Sequence, residues 1–401
     1  MYTKNTPQTI FCVFLLCFLG SCTDSDDKRL SHALLSHRIQ AMESFNLAFS
    51  PLANVDSLLD EDGWTRADAG RLVTRTFAIP TFQNLPEITL NLTLQSSGDP
   101  WDKSGAVVLL PANWSDDIAQ DTNKWPGIRG NTDTGFTPAL ELLRFITPFG
   151  VGHFSQSERS DEYRPVYIPA WEEEITWQGD ISHLWSAMSD SITLGVYIDT
   201  WSSEGFELDL DIEFREGPRQ IPPLQQRRHL TLLNTTKFHA DLEAFDGFSE
   251  VPLELECSFP ESAENAVLHY LATGHGGHST GDEFVRCEHL ITLNDDTVAK
   301  FTPWRDDCAS FRRFNPSSGV WTERTFWRGD SIDERIASSD YSRSGWCPGS
   351  AVPALEFNLG NLDAGRHQFT IDIPTAQPYT DTEMNFWNVA AYLTWDGPEE
   401  R

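Results

Sequence analysis

Apolar and polar residues alternate with a period of two over much of the chain. Ile88, Leu90, Leu92 and Leu94 are interleaved with Thr89, Asn91 and Thr93; Phe206, Leu208, Leu210, Ile212 and Phe214 are interleaved with Glu207, Asp209, Asp211 and Glu213. Successive strand residues point to opposite faces, so each run predicts a strand with one dry face and one wet face. Similar runs occur at residues 106–110, 164–168, 192–201, 253–259, 266–271, 290–294, 354–359, 367–373 and 389–395, separated by Gly, Pro, Asn and Asp. Short strands divided by such turns predict antiparallel sandwiches. The period lengthens only near the N-terminus. There Leu30, Leu34, Leu35, Ile39 and Met42 stand at near-helical spacing and predict a short helix.

Breaks in the pattern divide the chain. Residues 10–19 are almost wholly apolar, follow Lys4 and end in Leu19-Gly20-Ser21-Cys22. The run is too short to span a bilayer as a helix and has the form of an export signal. Its end resembles the lipobox of bacterial lipoproteins, in which the cysteine is diacylated and becomes the first mature residue. An ordinary signal peptide cleaved nearby is the alternative. The polar, acidic stretch 23–29 suits a tether. Glu216-Gly217-Pro218-Arg219-Gln220-Ile221-Pro222-Pro223 interrupts the strands and reads as a linker, because proline cannot serve a central strand. Residues 309–341 are polar with scattered aromatics and read as a long loop or inserted lid. The expected divisions are 1–21 signal peptide, 22–70 tether and N-terminal segment, 71–222 first sandwich and 223–401 second sandwich. No repeat of fixed period is visible.

Charge narrows the partners. Across 401 residues, 29 Lys+Arg stand against 60 Asp+Glu, a formal net charge of −31. Such a field repels phosphate backbones and argues against nucleic acid. Of the seven cysteines, Cys12 and Cys17 leave with the signal and Cys22 takes the lipid. Cys257, Cys287, Cys308 and Cys347 remain. An even number in an exported chain suggests two disulfides, with three pairings open.

Four segments place polar groups beside aromatics at strand ends or turns: Pro100-Trp101-Asp102, Tyr197-Ile198-Asp199-Thr200-Trp201, the run from Thr273 to His289, and Arg343-Ser344-Gly345-Trp346-Cys347-Pro348-Gly349. Loops carried on a rigid sandwich are common seats of function. Aromatic rings beside carboxylates suit sugars. His275 and His278, with Asp282, Glu283 or His289 nearby, offer metal donors, but the spacing matches no standard zinc pattern.

Taken together and in order, these segments resemble the bacterial peptide-N-glycosidase F family. Leu143-Arg144-Phe145-Ile146-Thr147-Pro148 and Gly345-Trp346-Cys347-Pro348-Gly349 are similar to its Arg-Phe-Ile-Thr-Pro and Gly-Trp-Cys-Pro-Gly segments. The resemblance covers roughly residues 75–397. It implies an all-β fold of two jelly-roll antiparallel sandwiches packed side by side, with the short N-terminal helical or tether segment ahead of them. It also implies hydrolysis of the amide joining asparagine to the first N-acetylglucosamine of an N-linked glycan, at a site between the sandwiches, without metal or organic cofactor. Asp102 matches the principal catalytic aspartate, Glu283 a second acid, and Asp199 a third that is glutamate in the best-known member. Arg343 matches an arginine near the substrate. Trp101, Trp201, Trp346, Phe284, His275 and His278 are the expected substrate-binding residues. A Cys308–Cys347 bridge is implied; the family's cysteine pair around the second acid is absent, and Cys287 is expected to bond elsewhere, with Cys257 one candidate and the pairing left open. The expected partners are an N-linked glycopeptide or glycoprotein and a membrane reached only through the lipid on Cys22. The chain is expected as a monomer on the outer membrane, the cell surface or the periplasmic side. A surface lipoprotein that binds glycans on the same fold without catalysis is the alternative. A copper monooxygenase would need a His-x-His pair, which the sequence lacks.

Overall fold

The structure, a computed structural model, describes residues 35–51, 63–115, 127–128, 137–150, 171–217, 227–235, 247–276, 281–316, 318–380 and 382–397. The expected signal peptide, Cys22, the strand at 164–168, His278 and most of the linker at 216–223 lie outside these residues.

The alternating runs form strands as their pattern requires. In the strand Pro86–Ser96, Ile88, Leu90, Leu92 and Leu94 lie directly opposite Phe214, Ile212, Leu210 and Leu208 of Phe206–Glu216. All eight side chains are buried, each contributing about 1.5–3 kcal/mol by removal from water. On the other face Asn91 Nδ2 donates to Asp211 Oδ1 at 3.1 Å, so the polar residues between the core positions pair across the same two strands.

Four sheets build two sandwiches. The first has Ser36–Leu47, Phe206–Glu216, Pro86–Ser96 and Glu174–Asp180 side by side. Facing it are Leu140–Ile146, Ser104–Leu109, Ser191–Ile198 and Leu72–Ala78, extended at the two edges by Ala351–Val352 and Thr65–Ala67. The second sandwich has Arg227–Asn234, Phe386–Asp396, Ala263–His275 and Leu355–Leu362 in one sheet. Its other sheet holds Leu253–Phe259, Gly365–Asp372, His289–Leu293 and Asp296–Phe301. Within each half, taking the principal strands in chain order, one sheet carries the first, eighth, third and sixth. The other carries the second, seventh, fourth and fifth. That order is the jelly roll with its paired Greek keys, and the expected fold class holds.

The two halves share a seam. Leu271, Ala390 and Tyr392 of the second sandwich pack into the core of the first. The short strand Ala351–Val352 leaves the second half to pair with Phe145 and Arg144 of the first. Arg144 is buried, forks onto Glu141 at 2.7 and 2.9 Å, and donates across the seam to the Asn388 carbonyl at 2.8 Å.

Three expectations are corrected. The helix expected from Ile39 and Met42 is the strand Ser36–Leu47, the first strand of the first jelly roll, so this stretch belongs to that sandwich and not to a tether. Register shifts between Gln40 and Met42 and between Met42 and Phe45 turn Ile39, Met42 and Phe45 inward at intervals of three, which imitates a helical spacing. Leu30 and Leu34 are outside the described residues. The loop expected at 309–341 contains a two-stranded hairpin, Val320–Trp327 with Asp330–Ala337, between short 3-10 turns at Cys308–Phe314 and Ser338–Asp340. The second disulfide is not formed. Cys257 and Cys287 are buried thiols in the second core.

The Cys308–Cys347 bridge is present and closes a separation of 39 residues around that hairpin. Loop-closure entropy gives it about 4 kcal/mol of stabilisation. Urea titration of Cys308→Ser/Cys347→Ser is expected to show a loss of that order; an unchanged midpoint would mean the bridge does not constrain the unfolded chain.

Candidate active site

Two of the three acids that the sequence singles out hold equivalent places in the two jelly rolls. Asp102 lies between the third and fourth strands of the first, Pro86–Ser96 and Ser104–Leu109. Glu283 lies between the third and fourth strands of the second, Ala263–His275 and His289–Leu293. Both connections open at the seam, and one arginine joins them. Arg343 Nε donates to Glu283 Oε1 at 2.8 Å, and its Nη2 stands 3.9 Å from Asp102 Oδ2. Arg343 is only 1% exposed. Its guanidinium lies 5.0 Å from the Phe284 ring centre and 4.9 Å from that of Trp346, and Nη1 donates to the Tyr341 carbonyl at 2.9 Å. A planar cation held by rings and carbonyls keeps its fork aimed at the carboxylates.

The backbone around Arg343 is built for this placement. Its N–H and carbonyl pair with Arg305, Ser344 N donates to the Glu283 carbonyl at 2.9 Å, and Gly274 N donates to the Ser344 carbonyl at 3.0 Å. Gly345 has φ +84°, and a Cβ there would meet the Ala272 carbonyl at 2.2 Å, so glycine is required for the turn. Trp346 is buried, and its Nε1 donates to the Gly274 carbonyl at 2.8 Å.

Asp102 sits in an environment that opposes its charge. Burial pushes its carboxyl up to about 7; Arg343 pulls the other way, and Glu283 adds to the rise. A carboxyl poised there can exchange a proton near neutrality. Its loop is pinned by groups that periodicity does not reveal. Asp99 is buried, accepts Trp101 N at 3.0 Å, and accepts Thr200 Oγ1 at 2.6 Å. Thr200 lies between Asp199 and Trp201, so these two bonds, through Asp99, tie two of the four sequence segments together. Thr147 Oγ1 accepts Lys103 N at 2.8 Å and donates to the Trp101 carbonyl at 3.1 Å.

Asp199 follows the seventh strand of the first sandwich and is held by Arg71 Nη1 at 3.2 Å and Tyr197 Oη at 3.1 Å. Arg71 also pairs with Asp68 at 2.9 Å and lies 4.3 Å from the Trp201 ring centre. No motif in the sequence marks Arg71 or Asp68; their roles exist only through contacts made by folding. Trp101 is 47% and Trp201 58% exposed, beside buried anchors on both loops. Open rings of this kind offer faces for sugar C–H groups.

His275 is placed differently. It is buried between the rings of Trp346 and Phe386 at 5.3 and 4.9 Å, with Nε2 2.8 Å from Thr273 Oγ1. Its ring contacts are with the protein interior. Among the described residues no cluster of three or more His, Cys, Asp or Glu is arranged to hold a metal ion.

Comparison with known proteins bears on the family and the fold. The sequence model for "Peptide-N-glycosidase F, N terminal" matches residues 38–214, and that for "Peptide-N-glycosidase F, C terminal" matches 246–394. A curated relative is peptide-N(4)-(N-acetyl-beta-D-glucosaminyl)asparagine amidase F of Elizabethkingia miricola. It is 24% identical over 232 residues, covering 56% of this chain and 55% of the relative, little more than half of that protein. Among solved structures, PNGF-II aligns with a TM-score of 0.73 at 28% identity, over 92% of this chain and 66% of PNGF-II. PNGase F from Flavobacterium meningosepticum, described as a glycosylasparaginase, aligns with a TM-score of 0.57 over 91% of this chain and 97% of that one; at 16% identity the likeness is one of fold. With both domain models matched in order along one chain, this protein belongs to the peptide-N-glycosidase F family.

Proposed function

We propose that the chain is an amidase that cleaves the bond between asparagine and the first N-acetylglucosamine of N-linked glycopeptides or glycoproteins. The observation that carries this reading is the convergence of Asp102 and Glu283, one from each sandwich, on the buried guanidinium of Arg343. An amide is a weak electrophile with a poor leaving group. Its hydrolysis needs a base for water, an acid for the departing nitrogen and positive charge for the oxyanion. In the proposed reaction Asp102, ionised, takes a proton from water as the oxygen attacks the side-chain carbonyl of asparagine. Arg343 balances the developing negative charge, and Glu283 fixes the guanidinium. Collapse breaks the carbon–nitrogen bond while Asp102 returns its proton to nitrogen, leaving aspartate and a glycosylamine. Trp101 and Trp201 provide rings for the sugar, and Asp199 a carboxylate for its hydroxyls. The test is incubation with a defined N-glycopeptide and mass spectrometry for asparagine converted to aspartate. Unchanged peptide across all cores tried, with sugar binding retained, would leave a glycan-binding protein on the same fold.

We also propose that Cys22 carries a diacyl anchor after export. Two chains suffice for stable attachment. Cys22→Ser is expected to release the protein from the membrane fraction; a mutant that still sediments with membranes as wild type does rules the anchor out.

A further inference from the structure

Asp282 and Glu283 are neighbours in sequence and face different surroundings. Glu283 meets Arg343, whereas Asp282 is completely buried. The turn that carries them is tight: Phe284 N and Val285 N both donate to the Gly281 carbonyl, at 2.9 and 3.1 Å. Asp282 is fastened on both main chain and side chain. Its N–H donates to Asn385 Oδ1 at 3.1 Å, and Gln377 N donates to both carboxylate oxygens, each at 3.1 Å. The Cys287 thiol is directed at Asp282 Oδ1 and at the Thr375 carbonyl, each at 3.7 Å. Asn385 Nδ2 reaches the Pro378 carbonyl at 3.4 Å, so the wall facing the turn is itself tied together. Behind the turn, a Cβ on Gly274 would lie 2.6 Å from the Asp282 carbonyl; the strand end leaves the turn no room to retreat.

We infer that Asp282 is a positioning residue: its buried carboxylate clamps residues 281–285 to the segment around Gln377 and thereby sets Glu283 on Arg343. The kinetic consequence rests on the amidase reading above, but the mechanical one does not. Burying a carboxylate is costly unless it is hydrogen-bonded, and here each oxygen is supplied with a donor. The titratable side chain that faces it among the described residues is Cys287, which burial pushes up to about 11 and so keeps as a donating thiol. Burial pushes Asp282 itself up to about 6, against the pull of the Gln377 N–H. A carboxyl raised in the closed turn holds its proton more tightly there than an opened, solvated turn would, so acid alone does not release the clamp.

The test compares wild type, Asp282→Asn and Asp282→Ala by amide hydrogen exchange and by steady-state kinetics on one N-glycopeptide, from about pH 5 to about pH 9, a range that spans the raised carboxyls. Exchange over 281–287 and 375–378 is expected to rise together by about tenfold or more in the alanine variant, with the strand Phe386–Asp396 protected as before. The rate constant kcat is expected to fall about 10- to 100-fold with KM nearly constant, as for a displaced catalytic group. Asp282→Asn keeps the volume but only one acceptor oxygen for Gln377 N, so exchange in both segments is expected to rise less than in the alanine variant, with the limb that belongs to Asp102 kept. Unchanged exchange in both segments overturns the clamp. Exchange that rises throughout the second sandwich in both variants makes Asp282 a general stability residue and also overturns it. A wild type inactive on every glycopeptide removes the amidase reading alone, because exchange still decides the clamp.

Discussion

Asp102→Asn is expected to lower N-glycopeptide hydrolysis by about 10²–10⁴-fold, the usual contribution of a positioned base, while the fold survives. The amide is nearly isosteric with the carboxylate, and the loop is held by Asp99, Thr147 and Thr200, none of which bonds to the Asp102 side chain. The pH dependence should identify the group. Burial raises Asp102 to about 7, so its ionised, base-competent form grows as pH rises through that value. The rate constant should climb with pH and level off above it, and the variant should lack this limb. Linkage gives a second, independent signature. A carboxyl whose folded pKa lies above its unfolded one makes the folded state the better proton binder between the two values, so stability falls as pH rises from about 4 to about 7. Asparagine carries no such cost. The variant should therefore be no less stable than wild type above pH 7 despite having lost its activity. A wild-type rate independent of pH between about 5 and 9, or a variant with wild-type turnover, would exclude Asp102 as the base.

Part of this protein was legible in its sequence, and the limits have physical causes. Strands with one wet face announced themselves, as in Pro86–Ser96 and Phe206–Glu216, because water and core alternate along them. Leu140–Ile146 did not, because all seven of its side chains are buried and two of them, Glu141 and Arg144, neutralise each other inside. The hairpin Val320–Trp327 with Asp330–Ala337 was hidden for the opposite reason. Among its described side chains Phe326, Trp327 and Ile332 are exposed and Arg324 pairs with Asp333 across the surface, so these positions carry no alternation of wet and dry. Asp102, Glu283 and Arg343 were visible only through their flanking motifs. Asp282 stood out only as a metal donor beside His275 and His278, and Arg71 had no motif at all. Their partners, Gln377 and Asp199, lie 95 and 128 residues away, and only the jelly-roll connections bring them near.

Replacing Arg343 should cost both stability and rate. The guanidinium is 2% exposed at its side chain, with Glu283 at 2.8 Å and Asp102 at 3.9 Å. Arg343→Met keeps much of the volume between Phe284 and Trp346 but strands Glu283 without its charged donor. Removing one partner of a buried ion pair typically costs about 3–5 kcal/mol; the lower end applies, since Glu283 retains 18% exposure. Arg343→Lys is the sharper probe. Lysine keeps the charge but has no planar fork to fill the slot between two rings while reaching two carboxylates. Loss of oxyanion stabilisation should lower kcat by about 10²–10³-fold in Met and by less in Lys. The pH profile separates this effect from mere unfolding. Arg343 is the largest influence holding the Asp102 carboxyl down against burial. Without it the carboxyl moves further up, and the rising limb of the rate shifts to higher pH in Met and less so in Lys. Combining Arg343→Met with Asp102→Asn should cost less than the product of the two changes, because groups that act as one unit are not additive. If Arg343→Met folds, turns over at the wild-type rate and keeps its limb in place, then the guanidinium shared by the two sandwiches is structural, and the oxyanion must be stabilised by other donors.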